Sequence, residues 1–214
     1  LIEPYFTGSH KNWAKDLRKY SSHQIELFTL PGQFWKWRMH GGAVTLARMF
    51  MESKLQPDLI LTTDMLDLTI FLSLTRSRTA NIPTAVYFHE NQLSYPWSTT
   101  DRDVGKKRNI HYGFINYTTA LTADHVYFNS QYHMNSFLTE ARKMLKHFPD
   151  HNELETIRKI TENSSVLHLG LDLAKFDDHR CEKDSGTPLL LWNHRWEYDK
   201  NPEDFFNALE ILSE

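Results

Sequence analysis

The strongest constraint in this 214-residue chain is a regular alternation of short apolar segments with longer segments of helical pattern. The short segments are partly β-branched and almost free of charge, which is typical of buried strands. The predicted strands lie at residues 1–6, 25–30, 59–62, 84–88, 125–128, 166–169 and 189–192. Strands that alternate with helices pair in parallel, so the pattern predicts an α/β fold with a doubly wound, Rossmann-like parallel sheet.

The predicted helices lie between these strands, at about residues 12–20, 43–54, 66–75, 110–121, 131–146, 153–160 and 203–212. In the first of them, Trp13, Leu17 and Tyr20 recur at helical spacing and form one apolar stripe. Because the strands carry few charges on either face, we expect helices to cover both sides of the sheet.

A polar stretch without periodicity, residues 177–186, interrupts the alternation and is typical of a linker or an exposed loop. It separates a predicted N-terminal Rossmann-like domain, residues 1–176, from a single βα unit at residues 187–214. One βα unit cannot bury its own faces. We therefore expect residues 187–214 to be either an added edge of the first domain or the start of a second α/β domain that continues beyond them.

The composition limits the classes of partner. The net charge of −3 provides no overall basic field for nucleic acid, so an RNA partner needs a local basic patch. The best candidates are residues 106–108 and 142–146, although charge runs of this length are usually solvated surface. No apolar run approaches about 18 residues, so we expect no membrane span. The single cysteine, Cys181, excludes an internal disulfide and favours a reducing compartment.

Polar side chains follow three of the predicted strands, at the edge where open α/β sheets bind their ligands. The residues are Gly8, Ser9 and His10 after the first strand, His89, Glu90, Asn91 and Tyr95 after the fourth, and Asn129 and Ser130 after the fifth. A turn at Gly8 and Ser9 lets an anion or a sugar hydroxyl approach backbone N–H groups, or it is a plain turn with Ser9 as N-cap. The imidazole of His89 with the neighbouring carboxylate and amide can bind a polyol or move a proton, or His89 caps a strand beside a solvated Glu90.

Two cations follow the last predicted strand. Arg195 and Lys200 precede a helix that is expected to begin near Asn201, with Pro202 in its first turn. The free N–H groups and the positive end of that helix would point to the same place, which suits a phosphate or a diphosphate. The alternative is that both cations are solvated surface charges.

Several common catalytic motifs are absent. The sequence contains no Gly-x-Gly-x-x-Gly, no Walker A loop, no Gly-x-Ser-x-Gly and no Cys-x5-Arg. The segment that begins at His89 is not a zinc protease motif, because the position one helical turn later is Leu93.

Taken together, these segments resemble the two-domain GT-B glycosyltransferases of the retaining family 4 type. The likeness lies in Gly170, Asp172 and Phe176 after the sixth strand, and in Arg195, Lys200 and Pro202 near the end, with Asn193 and Asn201 where many relatives have glycine. Residues 3–10, 88–96 and 128–133 are most similar to the branch of the family that mannosylates queuosine in tRNA. The likeness extends over nearly the whole chain.

This resemblance implies a hexosyltransferase that moves mannose from GDP-mannose to queuosine in tRNA with retained anomeric configuration, without a metal or another cofactor. It implies that Arg195 and Lys200, with Asn193, bind the donor diphosphate, that Gly8 and Ser9 face it, and that His89 contacts the donor sugar. It assigns the acceptor cleft to His10, Glu90, Asn91, Tyr95, Asn129 and Ser130, and it implies a cytoplasmic protein, with the nucleus as the alternative. In this family the second domain supplies the nucleotide pocket, so the competing hypothesis is a non-catalytic α/β binding module.

Overall fold

The computed structural model describes residues 1–98, 100–106, 109–179, 186 and 189–213. The chain forms two compact units. Unit 1 comprises Leu1–Tyr95 and Lys107–Gly170, and unit 2 comprises Pro96–Lys106 and Leu171–Glu214. Most of the predicted linker, residues 180–185, and the first two residues of the segment 187–214 lie outside the described residues.

Unit 1 is built on one six-stranded sheet in which every pairing is parallel. The strands are β1 (Ile2–Phe6), β2 (Phe28–Pro31), β3 (Ile60–Thr63), β4 (Thr84–Phe88), β5 (His125–Phe128) and β6 (Ser164–Val166). Their order across the sheet is β2-β1-β3-β4-β5-β6. The predicted α/β class and the Rossmann-like parallel sheet are confirmed.

The helices of unit 1 are α1 (Gly8–Tyr20), α2 (Trp35–Glu52), α3 (Leu68–Thr79), α5 (Ile110–Thr122), α6 (Gln131–Lys146) and α7 (Glu155–Glu162). The chain moves across the sheet in one direction from β1 to β2 and in the opposite direction through all later strands. Because crossover connections between parallel strands are right-handed, α1 lies on one face of the sheet. The remaining five helices therefore lie on the opposite face, where they cover fully buried side chains such as Phe88, Phe128 and Phe137.

Helix α2 begins eight residues earlier than the sequence predicts, at Trp35 rather than Ala43. Adjacent glycines usually interrupt a helix, and Gly41 and Gly42 obscured the pattern. In the folded chain Gly42 brings α2 close to β1, since a Cβ at this position would lie 3.0 Å from Cβ of Pro4. Close packing on the sheet therefore outweighs the poor helix propensity of glycine.

Unit 2 contains a short helix α4 (Arg102–Gly105), 3₁₀ turns at Ala174–His179 and Tyr198–Lys200, and helix α8 (Pro202–Ser213). Helix α8 confirms the predicted start at Pro202. The predicted strand at residues 189–192 is wrong, because these residues form no strand. A strand needs a neighbour that accepts its backbone hydrogen bonds, and none of the described strands pairs with this segment. No described helix has the length and apolar character needed to cross a membrane.

Candidate functional site

The strand order places a crevice between β1 and β3. The chain leaves β1 toward β2 on one side and later continues with β3 on the other side, so the direction of winding reverses at this point. Ligands of open α/β sheets bind at the carboxyl ends of the strands where such a reversal occurs. Polar residues from β1, α1 and the ends of β3 and β4 meet there.

The first of these residues is Glu3, a fully buried carboxylate inside β1. Its Oε2 lies 2.9 Å from Nδ1 of His10 in the first turn of α1, and its Oε1 accepts a 2.7 Å hydrogen bond from the backbone N–H of Tyr5. A buried carboxylate is costly unless it is paired and hydrogen-bonded, and both conditions are met here. The Glu3–His10 pair therefore fixes the start of α1 to β1.

A second buried carboxylate, Asp64, follows β3. It is 1% exposed, and its Oδ1 accepts a 2.8 Å hydrogen bond from the backbone N–H of His89 at the end of β4. The Nδ1 atom of the His89 ring lies 3.6 Å from the same oxygen, which is beyond hydrogen-bond distance. Burial alone would raise the pKa of Asp64, but its contacts with His89 and the charge of His10 outweigh burial and lower that pKa. Asp64 is therefore ionised.

His10 provides the positive charge between these two carboxylates. Burial disfavours its protonation, but the hydrogen bond to Glu3 and the negative charges of Asp64, Glu3 and Glu90 outweigh burial and raise the pKa of His10 to about 9. The ring is therefore an imidazolium at neutral pH. It compensates charge that would otherwise be isolated in the interior.

The ring of His89 is enclosed by three other rings. His10 stacks on it at a centroid distance of 4.2 Å, Trp13 meets it edge-on at 4.7 Å, and Tyr87 lies at 4.9 Å. Trp13 also stacks on Tyr87 at 4.8 Å. Both nitrogens of His89 are shielded and lack a hydrogen-bond partner among the described residues. Such polar atoms are unusual in a folded protein and often mark a functional site.

Asn129, directly after β5, connects the end of β4 to α6. Its Nδ2 donates to the carbonyl of His89 at 2.8 Å, and its Oδ1 accepts from the Oγ of Ser130 and from Nδ1 of His133. Ser130 is the N-cap of α6 and accepts from the backbone N–H of His133. Burial lowers the pKa of His133, Asp64 partly opposes this shift and His89 adds to it, so this ring is neutral. The predicted residues Asn129 and Ser130 therefore lie next to His89.

The predicted residues Gly8 and Ser9 lie in the first turn of α1. Gly8 takes a left-handed backbone with φ of +51°, and a Cβ at this position would meet no atom within 4 Å. Thr7, rather than Ser9, is the N-cap of α1, and Thr7 makes no side-chain cap hydrogen bond. The suggestion that Ser9 caps the helix is wrong, and the first N–H groups of α1 are available to an anion.

Three predicted residues of the turn after β4 make hydrogen bonds within that turn. Asn91 is 3% exposed, and its Oδ1 accepts from the N–H groups of Leu93 and Ser94. Glu90 accepts a 3.1 Å hydrogen bond from Nε2 of Gln92. Tyr95 is half-buried and its N–H donates to the carbonyl of Asn91. These residues shape the segment that carries His89.

His10, Asp64 and His89 offer ligand atoms within 4.8 Å of one another, a spacing that a metal ion could bridge. The arrangement of the two rings does not suit a shared ion. The His10 and His89 rings are only 22° from parallel at 4.2 Å, whereas a metal lies in the plane of each coordinating ring at about 2.1 Å.

The predicted donor-binding residues Asn193, Arg195 and Lys200 are exposed in unit 2. The Nζ of Lys200 pairs with Asp199 at 2.8 Å, directly before α8. Asn201 has a left-handed backbone with φ of +51°, a conformation that glycine and asparagine tolerate best. This explains how an asparagine can stand where many relatives have glycine.

Three residues of this site were absent from the sequence prediction: Glu3, Asp64 and Trp13. Asp64 follows a strand, so the rule that found His89 would have found it as well. Glu3 also carried a signal, because a carboxylate inside an otherwise apolar strand needs a buried partner. The ring contacts of Trp13 carry no sequence signal beyond the apolar stripe of α1.

Comparison with known proteins identifies the family. The model of the N-terminal part of tRNA-queuosine alpha-mannosyltransferases matches residues 1–171. The tRNA-queuosine alpha-mannosyltransferase of Drosophila melanogaster is 34% identical over 223 residues, an alignment that covers 100% of this chain and 57% of that protein. This chain belongs to the tRNA-queuosine alpha-mannosyltransferase family.

The predicted resemblance to this family is confirmed. The chain spans little more than half the length of its Drosophila relative. No solved structure was found to match the chain. The roles assigned above to individual site residues stay predictions.

We expect Glu3→Gln to destabilise the folded chain most below pH 6.5 and progressively less up to about pH 9. The folded-state pKa of His10 is raised, so its stabilising contribution is complete below the unfolded value of 6.5 and is lost as the pH rises through about 9. Over that window the difference in unfolding free energy between wild type and variant should shrink by on the order of 1 to 3 kcal/mol, because Asp64 and Glu90 still raise the pKa of His10 in the variant. Urea unfolding across the pH range measures it.

Glu52→Gln is the matched control, because it removes a carboxylate of an exposed ion pair with Arg48 on α2. Its difference from wild type should stay small and constant over the same pH range. A constant difference for Glu3→Gln as well would show that His10 does not hold its proton against Glu3.

Proposed function

We propose that this protein transfers mannose from GDP-mannose to queuosine in tRNA with retained configuration and without a metal. Membership of the tRNA-queuosine alpha-mannosyltransferase family is the observation that carries the proposal. In the reaction the bond between mannose C1 and the phosphate oxygen breaks. A bond from C1 to a hydroxyl oxygen of queuosine forms on the same face, and the hydroxyl proton is released with GDP. A tRNA acceptor fits a cytoplasmic or nuclear protein.

In this proposal His89 contacts the donor sugar. Its ring nitrogens are shielded and have no hydrogen-bond partner among the described residues, so this contact requires the donor to displace part of the enclosing rings. Sugar hydroxyls can then both donate and accept hydrogen bonds. The ring stands at the carboxyl end of β4, held by Asp64 through its backbone N–H and by Asn129 through its carbonyl. A side chain fixed in this way loses little entropy when it binds a ligand.

The departing GDP carries negative charge that has to be stabilised. We assign this role to Arg195 and Lys200 in unit 2, with Asn193 in the same segment, and to the backbone N–H groups at Gly8 and Ser9. The open left-handed turn at Gly8 and the uncapped start of α1 support the second part of this assignment. The imidazolium of His10 adds a fixed positive charge near the same edge of the sheet.

The proposed acceptor cleft comprises His10, Glu90, Asn91, Tyr95, Asn129 and Ser130. A second candidate function is a non-catalytic binding module. Mannose transfer by the full-length protein decides between the two functions.

Arg195→Ala should lower mannose transfer by about 10²-fold in the full-length protein, because loss of one group that stabilises developing negative charge costs roughly 3 kcal/mol. The measurement is single-turnover transfer to tRNA that carries queuosine. Arg158→Ala on α7 is the matched control and should leave the rate unchanged, since it removes an exposed cation outside the proposed site and outside the two basic patches. A rate for Arg195→Ala within about twofold of wild type would remove Arg195 from the proposed mechanism.

Transfer should persist in excess EDTA, because side-chain cations and helix N–H groups take the role that a divalent ion has in metal-dependent transferases. The same assay with and without chelator measures it. Loss of transfer in EDTA that Mn²⁺ restores would contradict metal independence, and would point to His10, Asp64 and His89 as the first group to test as ligands.

A further inference from the structure

Aromatic and basic residues alternate at the start of α2, in a surface formed by Phe34, Trp35, Lys36, Trp37 and Arg38. We call this surface the α2 platform. Phe34 is 75% exposed and Trp37 is 64% exposed. No acidic residue occurs in the sequence between Glu26 and Glu52, so the platform lies in a stretch whose charged side chains are all cationic.

Phe34 is held in an unfavourable backbone conformation. Its φ of 53° and ψ of 56° are left-handed, where a bulky residue is a genuine outlier. The residue is the N-cap of α2, a position that asparagine, serine or glycine would fill at lower cost. Strain of this kind persists where the surrounding structure enforces it, and it concentrates at functional sites. Here it accompanies an aromatic ring that faces solvent.

Trp37 is supported from one side. A Cβ at Gly41, one turn further along α2, would lie 2.6 Å from Cζ2 of the Trp37 ring. The indole therefore rests against the helix backbone, which only glycine permits, and the rest of its surface remains exposed. This arrangement keeps a flat aromatic face in place without burying it.

Ring contacts join the start of α2 to α5. Trp35 contacts Tyr112 of α5 at a centroid distance of 5.2 Å, and His40 contacts His111 at 4.9 Å. The Nε of Arg38 donates to the carbonyl of Pro31 at the end of β2, at 3.0 Å. These contacts between α2, α5 and β2 make the platform a rigid part of unit 1.

The platform lies at the same edge of the sheet as the candidate site. Helix α2 directly follows β2, so its first turn is at the carboxyl ends of the strands. The loop between them touches the loop after β1, because a Cβ at Gly32 would overlap the side chain of Thr7. Thr7 precedes Gly8 and Ser9. A ligand that extends from the crevice toward β2 would reach the platform.

We propose that the α2 platform binds unpaired bases of the tRNA anticodon loop, with bases stacked on Phe34 and Trp37 and phosphates near Lys36 and Arg38. This inference rests on the proposed function, since queuosine is a base of the acceptor. Exposed aromatic faces interleaved with cations are the means by which proteins hold single-stranded nucleic acid. A protein partner fits Lys36 less well, because lysine is depleted at protein interfaces, although tryptophan and arginine are enriched there.

Binding of a synthetic anticodon stem-loop RNA that carries queuosine tests the inference on the full-length protein. Trp37→Ala should weaken binding by about 5- to 150-fold, the range found when one base loses an aromatic stacking partner. Lys36→Gln should weaken binding and reduce the slope of log affinity against log salt by about one. Phe34→Gly should weaken RNA binding while leaving the melting temperature equal or higher, because glycine accepts the left-handed backbone.

Tyr20→Ala is the matched control. Tyr20 is 59% exposed at the last residue of α1, which lies at the opposite edge of the sheet, so this variant should bind the stem-loop like wild type. A fully paired RNA duplex should bind wild type and Trp37→Ala equally, because its bases cannot stack on a side chain. Unchanged stem-loop affinity for Trp37→Ala would overturn the inference, as would equal losses for Tyr20→Ala and Trp37→Ala.

The outcome is separable from that of the proposed function. Failure of mannose transfer, with stem-loop binding that still depends on Trp37, would refute the transferase and leave the RNA platform standing. Normal transfer and normal stem-loop binding by Trp37→Ala would refute RNA binding by the α2 platform and would not affect the proposed transferase function. Self-association that Trp37→Ala abolishes, together with unchanged RNA affinity, would assign the platform to a contact between two copies and would also overturn the inference.

Discussion

The ion pair between Glu3 and His10 is the interaction on which the candidate site depends. It joins the first strand to the first helix in the interior, where neither charge could remain alone. The His10 ring then lies against His89, and His89 is fixed by Asp64 through its backbone. Loss of the positive charge on His10 would leave two buried carboxylates, Glu3 and Asp64, without compensation. The geometry of the crevice therefore follows from one pair of opposite charges.

The consequence for chemistry is a site with its own fixed positive charge. Many enzymes that cleave a bond to a diphosphate use a divalent ion for this purpose. Here the surroundings keep one histidine protonated and another, His133, neutral, although both are largely buried. Nearby carboxylates account for the first case and burial for the second. The same edge of the sheet thus offers a cation in His10, a neutral ring in His133 and helix N–H groups.

The alternation of strands and helices was predictable from the sequence because burial on both faces imposes a repeating apolar pattern. The rule that ligands bind at strand ends also led to His10, His89 and Asn129, which the structure places together. The start of α2 was not predictable, because the contact between Gly42 and Pro4 belongs to the folded state. At residues 189–192 a strand was predicted that is not formed, since an apolar run forms a strand only beside a partner strand.

The roles of Glu3 and Trp13 became clear only from packing, because the residues they contact are distant in sequence or on another element. The same holds for the α2 platform. Its aromatic residues look like ordinary core residues in the sequence, and only their exposure and the backbone of Phe34 distinguish them. Family membership names a transferase, whereas the arrangement of these side chains indicates how the N-terminal unit serves it.

The most direct test of this account is an NMR titration of the His10 ring in the folded protein, followed through its ¹⁵N shifts. The account predicts a pKa of about 9, so that the ring stays an imidazolium throughout the neutral range. A value at or below 6.5, the ordinary pKa of histidine, would contradict it. In that case the two buried carboxylates would need another source of positive charge.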